Sequence, residues 1–385
     1  MKNSINLAFV LYKYFPFGGL QRDFLRIAQH CYQKGYNISV YTMVWEGEQP
    51  DHFNLNIYRP KAFSACTRNN KFHHWVNRQL QQSPADLVIG FNKMPGLDIY
   101  YAADSCYEDK ARKLRPFFYR WGRRYRHFAA CEHSVFAAGA ATEILSLSKK
   151  QKALFYQCYG TEEERIHLLP PGIAKDRKRT CDADNIRRHF RKKHHILPDE
   201  KLLLLLGSGF ITKGLDRALL ALSALPIILR SQVKFFIVGK DKTHKFKQQA
   251  HKLKIDKQVF FYPGMEDVPA LLQGADALIH PAYNENTGTV LLESLVAGLP
   301  VLCTDVCGYA HYIAEADVGL ITPSPFKQSI LNQQLQEILT SEKRRQWKNN
   351  AIAFSEKTDI YSMPERAAAI IENILNKKLR PETVC

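Results

Sequence analysis

The chain has 385 residues, of which 45% are hydrophobic and 24% charged. These are globular proportions and exclude a disordered, collagen-like or coiled-coil chain; the length suits two domains and a large core without disulfide staples. The 54 basic residues against 37 acidic give a net charge of +17, which favours an anionic partner (nucleic acid, a phosphorylated metabolite or an acidic membrane) without choosing among them.

The opening stretch, MKNSINLAFVLYKYFPFGG, has its apolar run broken by Lys13 and lacks a small-residue cleavage site, so no signal peptide is expected. No stretch approaches the roughly 18 apolar residues of a membrane span, and a cytoplasmic protein is expected. Ile5 to Val10 predicts a short strand, followed by Gly18-Gly19. Leu20, Phe24, Ile27, Ala28 and Cys31 then recur at helical spacing, ended by Gly35. Ile38 to Val44 and Leu87 to Phe91 predict two more strands. Strand, glycine loop, helix, strand is the start of a parallel α/β sheet. Pro170-Pro171-Gly172 is stiff and helix-incompatible and marks a domain boundary.

Leu202 to Leu206 is a continuous apolar run, as in a parallel strand buried on both faces. The loop from Gly207 to Gly214 and a helix from Leu215 to Leu225 follow. Further strands are predicted at Val233 to Val238, Val259 to Tyr262, Ala277 to His280 and Pro300 to Thr304. Helical patterns lie at Lys245 to Leu253, Val268 to Gln273 and Gly288 to Ala297, and the chain from Gln328 onward reads as helices only. This alternation predicts a doubly wound sheet. The expected fold is therefore α/β with two Rossmann-like domains facing a cleft. Their bounds are 1–169 and 170–345, and helices over 346–385 cross back to the first domain.

The nine cysteines fall at scattered spacings with no C-x-x-C, which points to buried thiols rather than a metal or redox site. The sharpest constellation is Glu285-Asn-Thr-Gly-Thr-Val-Leu-Leu-Glu293. The amides of Thr287, Gly288 and Thr289 would open a helix and form an anion site. An acid ahead of that site can hydrogen-bond sugar hydroxyls, and one behind it can hold a ribose diol. The alternative leaves Glu293 an exposed helix residue and Glu285 an N-terminal charge. Lys213 sits in a glycine-flanked loop where phosphate charge is commonly met, although the Walker A spacing is absent; a solvated loop lysine is the other reading. Gly18-Gly19 would let backbone amides approach a phosphate, or form an ordinary turn. Arg177, in Lys175-Asp-Arg-Lys-Arg179, belongs to a basic run just past the boundary. Arg187 to Lys193 reads as a solvated helix face.

Together these pieces resemble the family-4 retaining glycosyltransferases of GT-B fold, whose E-x7-E signature is matched by Glu285 and Glu293. More narrowly they resemble the lipopolysaccharide core glucosyltransferase I group. That resemblance is carried by Leu11-Tyr-Lys-Tyr-Phe-Pro-Phe-Gly-Gly-Leu-Gln-Arg-Asp23, Gly90-Phe-Asn-Lys-Met-Pro-Gly-Leu-Asp98, Leu169-Pro-Pro-Gly-Ile173 and Cys307-Gly-Tyr-Ala-His-Tyr-Ile313. It runs from the first strand to about Pro364. It implies UDP-glucose as donor, an inner-core heptose of lipopolysaccharide as acceptor, and retention of configuration without a metal or cofactor. It also implies site roles. Gly19, beside Gly18, approaches the donor phosphate and glucose, and Lys213 and Arg177 neutralise the diphosphate. Glu285 contacts the glucose hydroxyls, Thr287 to Thr289 supply amides, and Glu293 holds the ribose diol. Pro263-Gly264-Met265 offers backbone groups to uracil. One position departs: the family has Arg before the lysine where this chain has Thr212, so one diphosphate contact is missing or comes from elsewhere. Asp98, Asp104 and Lys93 are expected to orient the acceptor, with Asp98 as a catalytic candidate; a cap or turn role suits Asp98 equally.

Lys110 to Arg126 holds eight basic residues, Lys110, Arg112, Lys113, Arg115, Arg120, Arg123, Arg124 and Arg126, and no acidic one. Phe117, Phe118, Tyr119, Trp121 and Tyr125 are interleaved. Basic residues with aromatics describe an interfacial element on anionic lipid, here within a membrane-facing segment over 107–136. Single-stranded nucleic acid or plain core packing are the competing readings. The lipid-linked acceptor favours the cytoplasmic face of the inner membrane, with no nucleic acid as partner. A related transferase using another UDP-sugar or acceptor stays open. A non-enzymatic nucleic-acid-binding protein would leave Glu285 and Glu293 without a role.

Overall fold

The structure is a computed structural model and describes residues 5–16, 18–265 and 267–379. It divides into two compact units. One holds the residues up to Gly172 together with those from Ser362 on, and the other is Ile173–Tyr361.

The first unit runs β1 (Asn6–Tyr14), α1 (Gly19–Gln33), β2 (Asn37–Trp45), β3 (Phe53–Ile57), α2 (Ala65–Gln82), β4 (Leu87–Gly90) and β5 (Ile99–Ala102). It continues with α3 (Tyr107–Leu114), α4 (Arg123–Phe136), β6 (Glu143–Ser146), α5 (Lys149–Tyr159) and β7 (Ile166–Leu168). The seven strands form one parallel sheet in the order β3-β2-β1-β4-β5-β6-β7. Strand order reverses between β1 and β4, and their carboxyl ends lead into the segments with Gly18-Gly19 and Asn92 to Asp98. β1 runs past Val10: Leu11 and Tyr14 are also buried, and its pairing with β2 extends to Tyr14 and Trp45. β3 and β5 to β7 span three to five residues each, too short for an alternation to register.

The second unit opens with α6 (Ala183–Lys193), β8 (Lys201–Leu206), α7 (Leu215–Ser223), α8 (Ile227–Ser231), β9 (Val233–Val238), α9 (His244–Lys252) and β10 (Val259–Tyr262). Then come α10 (Val268–Gly274), β11 (Ala277–His280), α11 (Thr289–Val296), β12 (Val301–Thr304), α12 (Ala310–Glu315), β13 (Gly319–Thr322), α13 (Gln328–Thr340) and α14 (Arg344–Lys357). Its six parallel strands are ordered β10-β9-β8-β11-β12-β13. The reversal falls between β8 and β11, which pair at Ala277 with Leu203 and Leu278 with Leu204. In a doubly wound sheet that junction opens the ligand crevice at the carboxyl ends of the strands. Here it receives the 207–214 and 281–288 loops together.

The chain divides differently from the expected 169/170 and 345/346 boundaries. The first unit extends to Gly172, whose carbonyl accepts from Arg26 and which lies against Met363. α14 stays with the second unit, where Trp347, Ala351 and Ser355 are buried. Only α15 (Met363–Leu379) belongs with the first. Its stripe of Met363, Ala367, Ala368, Ile371 and Leu375 shares one core with Phe24, Ile27, Ala28 and Cys31 of α1; these spacings put each set on one helix face.

Arg187 and Arg191 correct the reading of α6 as a wholly solvated face. Both turn inward to Asp276, at 2.7 and 2.9 Å, and Arg344 of α14 joins them at 2.6 Å. Asp276 also accepts from the Leu202 amide at 2.7 Å. One buried carboxylate thus ties α6, α14 and the start of two central strands. Among the described residues, no helix is long and apolar enough to cross a membrane.

Candidate active site

The 207–214 and 281–288 loops leave adjacent strands, so Lys213 and Glu285 meet although 72 residues separate them. Lys213 Nζ donates to Glu285 Oε2 at 2.9 Å, with both side chains mostly buried. Gly214 enforces this approach. It has φ +71°, and a β-carbon there would lie 2.0 Å from the Pro281 carbonyl oxygen; only glycine accepts both conditions.

The second loop is fixed by its own contacts. The carbonyl of Glu285 accepts from the Gly308 amide at 3.2 Å, and that of Thr287 from the Tyr309 amide at 2.8 Å. The 307–313 string therefore braces the loop that bears Glu285. Gly288 caps α11 at φ +81°, and with it Thr287 and Thr289 lie at the start of that helix, where the amides and dipole favour an anion.

Glu293, one and a half turns along α11, is buried, so it is not an exposed helix residue. Arg177 Nε lies 3.7 Å from Glu293 Oε1, an ion pair too long for a hydrogen bond, while Arg177 Nη1 holds Asp176 at 2.9 Å. Arg177 is thus not a solvated member of a basic run. Thr212 is exposed, and its carbonyl accepts from the Tyr283 amide at 2.9 Å. The nearby Arg217 donates to the carbonyls of Pro281 and Ala282 and stacks over Tyr283 and Phe326. Gly264 and Met265 follow β10. Gly264 has open space where a β-carbon would stand. Met265 lines a groove with Asn185, His189 and Asp267 that contains neither Lys213 nor Glu285.

The electrostatics centre on Glu285. Burial by itself would raise its carboxyl, but a hydrogen bond from His280 and the charge of Lys213 outweigh it and hold the group at about 2. His280 Nε2 lies 3.3 Å from the same Oε2 that Lys213 binds. Burial, then the Lys213 charge, pushes the imidazole below its ordinary value, with Glu285 partly opposing. The site therefore presents an ionised carboxylate beside an ammonium at a helix N-terminus, a set that can bind a polyhydroxy anion. Sequence reading passed over His280, which stood only as the end of a strand. A histidine closing the central strand that feeds the Glu285 loop was the available signal.

In the first unit, Gly18 caps α1 and Gly19 begins it, with nothing within 4 Å of where a Gly19 β-carbon would stand. Asp98 is a correction. It stands just before β5, where its Oδ2 accepts from the Val88 amide at 2.8 Å and its Oδ1 from Lys378 of α15 at 2.8 Å. That is the amino end of the strand, away from the carboxyl ends where ligands bind, so Asp98 joins strands and helix rather than substrate. Lys93 is also committed, to Glu132 and to the Ser105 carbonyl. Asp104 is exposed just past the carboxyl end of β5.

The basic-aromatic segment forms α3, a short 3₁₀ turn over Phe117–Trp121, and α4. Phe117, Phe118 and Trp121 are 72%, 67% and 69% exposed, which removes the core reading for them. Arg112 and Arg120 pair with Glu108, and Lys113 with Asp109. Lys110, Arg115, Arg123, Arg124 and Arg126 are exposed, with no ion pair among the described residues. Lys113 and Arg120 therefore add less free charge to that surface than expected. The eight described cysteines are free thiols. Among the described residues no three His, Cys, Asp or Glu side chains gather as metal ligands.

Comparison with known proteins places this arrangement. The family described as "Glycosyl transferases group 1" matches residues 186–354. The lipopolysaccharide glucosyltransferase WaaG of Escherichia coli K12 is 48% identical over 366 residues, covering 95% of this chain and 98% of that one. The crystal structure of WaaG superposes with a TM-score of 0.92 over 95% of this chain and 99% of that one. Anabaena HepE in complex with UDP-glucose shares the fold at a TM-score of 0.73 and 16% identity, over 96% of this chain and 100% of that one. At this identity and coverage, the chain belongs to the WaaG family of group 1 glycosyltransferases, and it is a glycosyltransferase of GT-B fold.

Proposed function

We propose that this enzyme transfers glucose from UDP-glucose to an inner-core heptose of lipopolysaccharide with retention of configuration. The observation that carries the reading is the Lys213–Glu285 pair at the start of α11. Its kinship with a lipopolysaccharide glucosyltransferase supports the choice of sugar and acceptor. In the reaction the bond from glucose C1 to the phosphate oxygen breaks, and one from C1 to the acceptor oxygen forms on the same face. The acceptor proton passes to the leaving phosphate. Lys213 has three donors, so it can keep Glu285 and still meet a phosphate oxygen. Lys213, Arg177 and the α11 amides take up the charge that develops on UDP, a role assigned to them rather than to a metal ion. Glu285 receives glucose hydroxyls, Glu293 the ribose diol, and Gly264-Met265 the uracil edge.

A thermal-shift series tests the donor. At a hundredfold excess over its dissociation constant, a ligand adds about 2.7 kcal/mol to the folded state. For a unit of this size that is a rise of about 5–10 °C. UDP-glucose should give the largest shift and UDP a smaller one, with UDP-galactose, ADP-heptose and single-stranded DNA behind. A larger shift with another UDP-sugar would move the donor assignment, and no response to any uridine nucleotide would remove it.

The same proposal seats the enzyme on the anionic cytoplasmic face of the inner membrane through the 107–136 segment. Exposed Phe117, Phe118 and Trp121 enter the interface, and Lys110, Arg115, Arg123, Arg124 and Arg126 face lipid headgroups. Each such cation contributes about 1 kcal/mol near an anionic surface. Replacing Arg123, Arg124 and Arg126 with Ser should therefore weaken partitioning onto phosphatidylglycerol vesicles about a hundredfold. Unchanged vesicle binding would place the anchor elsewhere.

A further inference from the structure

We propose that His280 is a positioning residue for glucose transfer, holding one oxygen of Glu285 so that the other is left for the donor sugar. The inference rests on the reading above that Glu285 contacts the sugar. His280 closes β11 and is fully buried. Its Nε2 lies 3.3 Å from Glu285 Oε2, and its Nδ1 finds no hydrogen-bond partner among the described residues.

This pattern sets the tautomer. An ionised carboxylate only accepts, so the proton sits on Nε2 and is donated to Glu285. Nδ1 is left as a buried lone pair. A charged imidazolium would bury a second N–H with no acceptor, which is costly, so the ring stays neutral. The Lys213 ammonium, bound to the same oxygen, disfavours the cationic ring further.

The two donors converge on Oε2 from two strands that flank the sheet's reversal, Lys213 from the loop after β8 and His280 from the end of β11 itself. Glu285 Oε1 accepts no hydrogen bond from the described residues. A carboxylate with one oxygen anchored twice has little rotational freedom left. Its second oxygen can then receive sugar hydroxyls without the cost of ordering at the moment of reaction. A lysine on a flexible stem cannot impose that alone. The buried ring, packed at a strand end, can.

The test uses the whole enzyme and separates geometry from charge. Glutamine carries its amide nitrogen three bonds beyond Cβ, where histidine carries Nε2; asparagine carries it two bonds beyond, where histidine carries Nδ1. With UDP-glucose as donor, His280→Asn should lower kcat about 30-fold, and His280→Gln should lower it by less than about fivefold. UDP itself lacks the sugar, so its dissociation constant should stay within about twofold in both variants. In a Glu285→Gln background, His280→Asn should add almost nothing, because its effect passes through the carboxylate.

Equal losses in the two variants, or a loss that multiplies fully with Glu285→Gln, would overturn the proposal. So would a loss of UDP binding together with activity, since that marks a structural role. If Glu285→Gln alone left transfer unchanged, the reading of Glu285 as the sugar contact would fall, and this inference with it. If Glu285→Gln mattered and His280→Asn did not, only the inference would fall.

Discussion

Glu285→Gln should lower glucose transfer by on the order of 10²–10³-fold while the protein still folds and binds UDP. The substitution keeps shape and length. Glutamine's carbonyl oxygen can still accept from Lys213 and His280, so no buried donor is orphaned. What it removes is the charge and half of the acceptor capacity that the proposal assigns to the sugar. Because Glu285 is held at about 2, the wild-type carboxylate is ionised throughout neutral and mildly acidic pH. Its titration should place no acid limb on the rate above about pH 4. Lys213→Ala should instead weaken UDP itself as well as transfer, because the ammonium is assigned to the diphosphate. Steady-state transfer and UDP titration on both variants check this. Wild-type transfer by Glu285→Gln would end the assignment, and unchanged UDP affinity in Lys213→Ala would remove the lysine from the diphosphate.

Much of this site is legible in the sequence because of how a doubly wound sheet is written. The strands that flank the reversal in the second unit, β8 and β11, are buried on both faces and read as LLLLL and ALIH. The loops after such strands must carry the ligand chemistry, and these hold Lys213 and Glu285. What escaped is what depends on long-range partners. A histidine closing the strand that feeds the Glu285 loop is a signal, but one that plain packing fits as well, and His280 meets Glu285 only when that loop folds back over it. Asp98 failed in the opposite direction. It stands in a motif-rich string, yet parallel register with β4 puts it beside Val88, at the amino end of β5. Arg187 and Arg191 sit at i and i+4 on a basic helix, the spacing of a solvated stripe. Nothing local announces that their acid lies 85 to 89 residues away. The tail was legible as helices, but not that α14 and α15 belong to different units. That division depends on which core each apolar stripe meets.

Asp276 carries the largest stability effect we expect. Its carboxylate is buried and ion-paired to Arg187, Arg191 and Arg344, and it accepts the Leu202 amide. Replacing it with Ala would leave three guanidinium groups crowded and unneutralised at the start of the central strands. Removing one partner of a buried charge set costs about 3–5 kcal/mol, which for the second unit is a fall in Tm of about 6–20 °C. Asp276→Asn should cost less, since the amide keeps an acceptor, but it still forfeits the charge. The pH dependence follows from the same contacts. Burial would raise the Asp276 carboxyl, but the charges of Arg187, Arg344 and Arg191 and the Leu202 amide outweigh it and hold it at about 2. An unfolded aspartate titrates near ~3.9. The folded value is the lower one, so the stabilisation is complete above about pH 5 and is lost as pH falls toward 2. The difference corresponds to about 2–3 kcal/mol. Thermal unfolding between pH 3 and 7 should therefore show the wild type losing its advantage over Asp276→Asn as the solution is acidified. Two curves that stay parallel across that range would mean that the three arginines do not depend on this carboxylate, and that α6 and α14 are held to the sheet by packing alone.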